Sequence, residues 1–283
     1  MFKMNRILFA AAAALSLFVT TGFAQEKFPV WPGLAPGEKG DYPAPTFTVF
    51  KPEKKTTDAC VIVCPGGGYQ KLVPYVRDKI VNLFVEKGVT TVLLEYRVPR
   101  REGVEIYRAA WQDAQRTIKH VRRNAPQWGV DPEKIGMIGF SAGGHLTVLC
   151  AVNSQTPAYE PVDELDSVPC HINFAIPVYP AYVLEDGEKG PNANRGIDSP
   201  ILKDFKFDDK SAPMCLLHGD NDVYSPLGSV AIYTQMKKKG VPMEMHIYGK
   251  TRHSFASNTK GSHSGGWFDR CYEWMKVMGY SGE

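Results

Sequence analysis

Several things are scarce in this chain. Its six cysteines, Cys60, Cys64, Cys150, Cys170, Cys215 and Cys271, include no C-x-x-C pair, so the usual ligand spacing of a structural zinc site is missing. Charge of one sign is not in excess: 33 basic against 30 acidic residues give +3, and removing Lys3 and Arg6 with the first 24 residues lowers this to +1. Nothing in that balance favours nucleic acid or an anionic surface as a partner. No internal repeat appears, which sets solenoids and arrays aside. Past residue 24 no apolar run approaches the roughly 20 residues of a membrane helix. What remains, 43% hydrophobic and 22% charged over 283 residues, suits one large α/β core.

The first residues read differently from the rest. Lys3 and Arg6 precede an uncharged apolar run over 7–19, and small residues including Gly22 and Ala24 follow. This predicts a cleavable signal peptide over 1–24, and with it a periplasmic or secreted location. In such a compartment disulfides are permitted. Cys60, Cys64 and Cys215 fall in predicted buried strands and Cys150 on a predicted helix, however, where small thiols pack well unpaired. Residues 25–45 are expected to form an extended arm on the surface, because Pro and Gly break the pattern from Phe28 to Pro45. The catalytic domain is expected over 46–283.

Within that domain strands and helices alternate. Residues 46–51 alternate polar and apolar like an edge strand, and 59–64 form a continuous apolar run of the kind buried on both faces. A helical period over 73–87 stops at Gly88, 89–96 is β-branched and apolar, and 105–125 again has helical spacing. Further strands are predicted at 135–138, 172–179, 213–217 and 243–248, with helices over 142–152, 227–239 and 267–278. This order predicts a doubly wound, mostly parallel sheet with helices on both faces. Residues 180–212 show no period and are read as an insertion over the active face.

The stretch Gly139-Phe140-Ser141-Ala142-Gly143 joins a predicted strand to a predicted helix through a turn too sharp for side-chain bulk beside the serine. Such a turn lifts Ser141 into the open and aims the amide of Ala142 at the oxygen of whatever Ser141 attacks. A serine hydroxyl needs a base and an acid to orient that base. In parallel α/β sheets these come from loops at the carboxyl ends of strands. His253 meets that condition, five residues after the strand ending at Tyr248; His263 lies in a Gly/Ser loop nearby, while His246 and His120 fall inside a strand and a helix. For the acid, the loop after the strand ending at Leu217 offers Asp220 and Asp222. Asp222 is favoured because Gly219 turns the chain out of the strand and leaves room three residues on. Three consecutive glycines, Gly66-Gly67-Gly68, end an earlier strand and bring backbone close to a ligand; amides of Gly67 or Gly68 with that of Ala142 would form the oxyanion hole.

With Ser141, Asp222 and His253 in that chain order, the sequence resembles the α/β-hydrolase superfamily, and more narrowly the hormone-sensitive-lipase-like esterases. The resemblance is carried by Gly66-Gly67-Gly68-Tyr69, Tyr96-Arg97-Val98-Pro99, Gly129-Val130-Asp131-Pro132, Gly139 to His145 and His218-Gly219-Asp220-Asn221-Asp222. Cys64-Pro65 stands where those lipases usually have histidine before the glycines. That substitution, with Trp31-Pro32-Gly33-Leu34-Ala35-Pro36-Gly37, is similar to secreted bacterial acetylxylan esterase-like enzymes. The resemblance implies release of acetyl groups from xylan or its oligosaccharides, with feruloyl esters as an alternative substrate class. Other readings are a prolyl-oligopeptidase-like peptidase and a non-catalytic binding module. Tyr69 and Trp267 are expected to stack on a sugar ring. Arg97 and Tyr96 are expected to brace loops. No metal or organic cofactor is implied, since serine acyl transfer carries its own chemistry.

Overall fold

A computed structural model of the chain describes residues 24–185, 199–257 and 262–282. The signal peptide read at 1–24 lies outside these residues apart from Ala24, and so does the middle of the 180–212 insertion. Eight strands form one sheet: β1 (Ala24–Pro29), β2 (Thr46–Lys51), β3 (Cys60–Cys64), β4 (Thr90–Glu95), β5 (Ile135–Phe140), β6 (Phe174–Val178), β7 (Met214–Gly219) and β8 (Met243–Tyr248). Their order across the sheet is β1-β2-β4-β3-β5-β6-β7-β8. β1, β2 and β4 pair antiparallel, and from β4 through β3 to β8 every pairing is parallel. This is the doubly wound, mostly parallel sheet expected from the alternation of elements.

The two faces are covered by different helices. α1 (Val81–Glu86) and α5 (Trp267–Val277) pack on one face, and α2 (Arg108–Trp128), α3 (Ala142–Val152) and α4 (Leu227–Lys238) on the other. β3 shows why its sequence is apolar throughout. Cys60, Ile62 and Cys64 face the α2/α3 side while Val61 and Val63 face the α1/α5 side, as a period of two requires. All five are fully buried. α2 owes its length to an apolar stripe (Ala110, Ala114, Ile118, Val121, Ala125) and ends at Gly129, whose φ of 61° is the left-handed stop that glycine adopts without strain. It runs past Pro126, beyond the end expected at 125. The helix expected over 73–87 is divided, with a wide π turn at Val76–Ile80 before α1.

The N-terminal arm departs from the expected surface excursion. Ala24–Pro29 is the edge strand, so β2 is not. Val30, Trp31 and Ala35 are buried in the core despite the surrounding Pro and Gly. Trp31 Nε1 donates to Asp113 Oδ1 at 2.7 Å, and Arg97, 3% exposed, holds the same carboxylate through Nε at 3.0 Å. Arg97 also donates to the carbonyl of Pro36 and to Glu38. The bracing role expected of Arg97 is thus visible, and what it braces is the arm. Tyr96 donates to the carbonyl of Pro65 at 2.6 Å and pins the start of the glycine loop. All six cysteines are free, and all but Cys170 are buried.

Candidate active site

Ser141 sits at the join of β5 and α3 with φ 57° and ψ −116°, a conformation that costs a non-glycine residue on the order of 1–3 kcal/mol. Surrounding bonds hold it there. Ser141 N donates to the carbonyl of Val178 at 3.0 Å, and its own carbonyl accepts from His145 N at 2.9 Å and Ala181 N at 3.2 Å. The flanking glycines are required by contact: a Cβ on Gly139 would strike the carbonyl of Gly143, and one on Gly143 would strike those of Cys64 and Pro65. The turn therefore packs backbone against backbone, which presses the glycine loop after β3 onto the serine.

The imidazole of His253 bridges two groups. Its Nε2 lies 2.8 Å from Ser141 Oγ, and its Nδ1 lies 2.7 and 2.8 Å from the two carboxylate oxygens of Asp222. Asp222 is 2% exposed and also accepts from Tyr224 N at 2.8 Å. An acceptor so placed keeps the proton on Nδ1, leaving the lone pair of Nε2 toward the hydroxyl. Loop-to-loop bonds fix the spacing of acid and base: Asp220 N donates to the carbonyl of Tyr248 and Asn221 N to that of Thr251, each at 2.9 Å. A Cβ on Gly219 would collide with the carbonyl of Thr251, so glycine there permits the approach. Asp220 is exposed and no bond from its carboxylate to His253 is found among the described residues, while His263 Nε2 lies 3.4 Å from Thr251 Oγ1 and takes no part in the arrangement.

A cavity of about 780 Å³ opens over Ser141, with Gly67, Gly68 and His253 in its wall. Ala142 begins α3, so its amide is one of the N–H groups with no carbonyl a turn earlier to bond. The rings of Tyr179 and Tyr224 flank His253, with centroids 4.9 and 5.1 Å from the imidazole. Tyr75 and Tyr182 complete an aromatic wall.

Residues 47–195 match the BD-FAE family model. The chain belongs to the BD-FAE family. It is 24% identical over 271 residues to an acetylxylan esterase of Xylanibacter ruminicola, covering 90% of this chain and 52% of that protein. The chain thus spans about half the length of that curated relative. Among solved structures, an acetyl ester-xyloside bifunctional hydrolase from Caldicellulosiruptor lactoaceticus superposes with a TM-score of 0.74 at 25% identity, covering 91% of this chain and 97% of that one. The propionate-bound esterase Est2 of Thermogutta terrifontis superposes with a TM-score of 0.69 at 22% identity, covering 93% and 97%. These likenesses place the BD-FAE chain in the α/β-hydrolase fold.

Two site residues read from the BD-FAE sequence are misplaced. Tyr69 and Trp267 are each 1% exposed and offer no ring face to a sugar. Tyr69 lies behind the cavity, where its hydroxyl meets His145 Nδ1 at 2.9 Å and burial raises the phenol well above its ordinary pKa. Trp267 packs edge-on against Phe140 on the α1/α5 side. Of the tyrosines along the cavity, Tyr75, Tyr182 and Tyr224 keep some exposed surface and come from three separate segments, while Tyr179 is itself fully buried.

His218 was also not singled out in the sequence. It is fully buried, accepts at Nδ1 from Ser229 Oγ at 2.6 Å, donates from Nε2 to the carbonyl of Tyr224 at 3.0 Å, and lies 3.5 Å from Asp222. Burial lowers its pKa to about 4, so at neutral pH it is an uncharged strut under the acid loop. Part of the 180–212 insertion does lie over the site, since Tyr182 lines the cavity and Leu184 bridges to Ile201.

Proposed function

We propose that this chain is a secreted serine carboxylesterase that removes acyl groups, acetyl first among them, from plant polysaccharide or oligosaccharide such as xylan. The observation that carries the reading is the unbroken hydrogen-bonded series Ser141–His253–Asp222 opening into a cavity walled by glycine backbone. In the proposed cycle Ser141 Oγ attacks the ester carbonyl while His253 Nε2 takes its proton. Asp222 holds the imidazolium that results. Amides of Ala142 and of Gly67 or Gly68 receive the oxyanion, each such donor supplying about 3 kcal/mol of barrier lowering. His253 then returns the proton to the departing sugar hydroxyl, and water releases the acyl group by the same steps reversed. The named relatives, an acetylxylan esterase and an acetyl ester-xyloside hydrolase, support the acetyl and xylan assignments.

The aromatic wall favours a second substrate class, feruloyl esters, whose acyl ring would lie against Tyr75, Tyr182 or Tyr224. One experiment covers both classes: acetate release from acetylated xylo-oligosaccharides and ferulate release from a feruloyl ester, measured side by side for wild type and Ser141→Ala. The reading expects activity on at least one and its loss by several orders of magnitude in the variant. Cleavage of an aminoacyl amide in preference to both would move the assignment to a peptidase. Export is tested separately, by the N-terminal sequence of the protein recovered from its native host, which should begin near Gln25.

A further inference from the structure

Away from this site, the last two strands and the last helix bring together side chains that no local spacing joins. Cys215 of β7 pairs directly with Glu244 of β8, and His246, two residues on, shares its face. One ligand-capable atom from each of Cys215, Glu244 and His246 lies within 4.8 Å of the others. α5 covers this face, with Cys271 buried in the same apolar cluster as Cys215. His246 Nε2 lies 2.7 Å from Glu244 Oε1. The two thiols are fully buried, whereas the His246 and Glu244 side chains are 29% and 41% exposed, so the group is dry on one side and open on the other.

We propose that Cys215, His246 and Glu244 form a site for a divalent ion of the zinc class. Three donors of the sulfur, nitrogen and oxygen types that zinc takes, converging from two strands, would leave the fourth position of a tetrahedral ion to water on the exposed side, which is also the entry path. On binding, the Cys215 thiol loses its proton to solvent, while the carboxylate and the neutral imidazole join as they stand. The Tyr248 hydroxyl, buried without a partner among the described residues, is two residues further along the same face and is available as an outer partner. The ion would tie β7, which leads to Asp222, to β8, which leads to His253. It would brace the loops that carry acid and base.

The test is titration of the purified, phosphine-reduced, metal-stripped chain with cobalt and then zinc. The proposal expects one cobalt per chain, the intense visible bands of a tetrahedral site, a thiolate-to-cobalt charge-transfer band, and displacement by zinc with a rise in thermal midpoint. Cys215→Ser should abolish the charge-transfer band. His246→Gln, a half-exposed change that leaves the core intact, should reduce affinity by at least the roughly 10- to 100-fold that losing an outer partner costs. Hydrolysis of a small acetyl ester by each variant checks that it is folded. No stoichiometric cobalt, an octahedral spectrum only, or a spectrum and affinity unchanged by His246→Gln would each overturn the site and leave a hydrogen-bonded cluster in its place.

Discussion

The hydroxyl of Tyr69 and Nδ1 of His145 meet 2.9 Å apart across the seam between the glycine loop and the helix that follows Ser141. Tyr69 directly follows Gly68 and has φ 59°, so its side-chain bond is one of the few tethers that set the loop against the helix. Nε2 of His145 has no partner among the described residues. Tyr69→Phe would leave both ring nitrogens unpaired, at a cost of about 1–3 kcal/mol. If the tether positions the oxyanion amides, kcat for an acetyl ester should fall about 10-fold or more with KM little changed. A loss of stability with kcat untouched would show that the bond serves the fold alone.

Burial also makes the two interior histidines acid-sensitive. In the folded chain His145 titrates at about 3 and His218 at about 4, both lowered from 6.5 by desolvation. Below about pH 6.5 the unfolded chain takes up these protons while the folded chain does not, so stability is complete above that pH and falls as pH drops toward 4 and then 3. The slope is at most about 1.4 kcal/mol per pH unit for each histidine. Urea unfolding at about pH 7 and pH 5 should therefore show a clear loss, and His145→Phe should reduce the slope by about one proton. An unchanged slope in that variant would mean that the ring is not held neutral.

The choice between the two aspartates of one loop is open to a direct comparison. Asp222 receives Nδ1–H of His253 and is buried, whereas Asp220 is exposed and contacts the neighbouring loop through its backbone. Asp222→Asn should lower kcat about 10³- to 10⁴-fold, because an amide at that position stabilises the wrong imidazole tautomer. Asp220→Asn should remain close to wild type. The reverse ranking, read from initial rates on a small acetyl ester, would reassign the acid.

What could be read from the sequence follows from how local each feature is. The strand, glycine-flanked turn and helix around Ser141 are contiguous, and the loops of Asp222 and His253 follow strands marked by continuous apolar runs, so their convergence follows from the topology of a parallel sheet. Side-chain direction is not local in that sense. Tyr69 adjoins the glycine loop in sequence, yet with its positive φ it is buried beside His145, while Tyr75, Tyr182 and Tyr224 reach the cavity from separate segments. Cys215, Glu244 and His246 likewise meet only through the register of the last two strands. The arm misled for another reason. Its Pro and Gly residues do exclude regular structure over most of 30–45, but irregular backbone can still place a tryptophan in the core.

That tryptophan is the basis of a final prediction. The indole of Trp31 lies under two guanidinium groups, Arg116 at 4.9 Å and Arg97 at 5.9 Å from the ring, with Tyr159 edge-on at 4.8 Å. Its N–H occupies one oxygen of the fully buried Asp113, which Arg97 also holds. Trp31→Ala should cost about 3–5 kcal/mol, as for other large-to-small core changes, and Trp31→Phe about 1–3 kcal/mol through the lost hydrogen bond. An arm lying on the surface would give less than about 0.5 kcal/mol for either change. Chemical denaturation distinguishes these outcomes. Because Trp31 itself contacts Asp113, Arg97, Arg116 and Tyr159 and no residue that lines the cavity, kcat of the folded Trp31→Phe variant should match wild type. A fall in kcat without a fall in stability would instead mean that the arm acts on the glycine loop through the bond from Tyr96 to the Pro65 carbonyl.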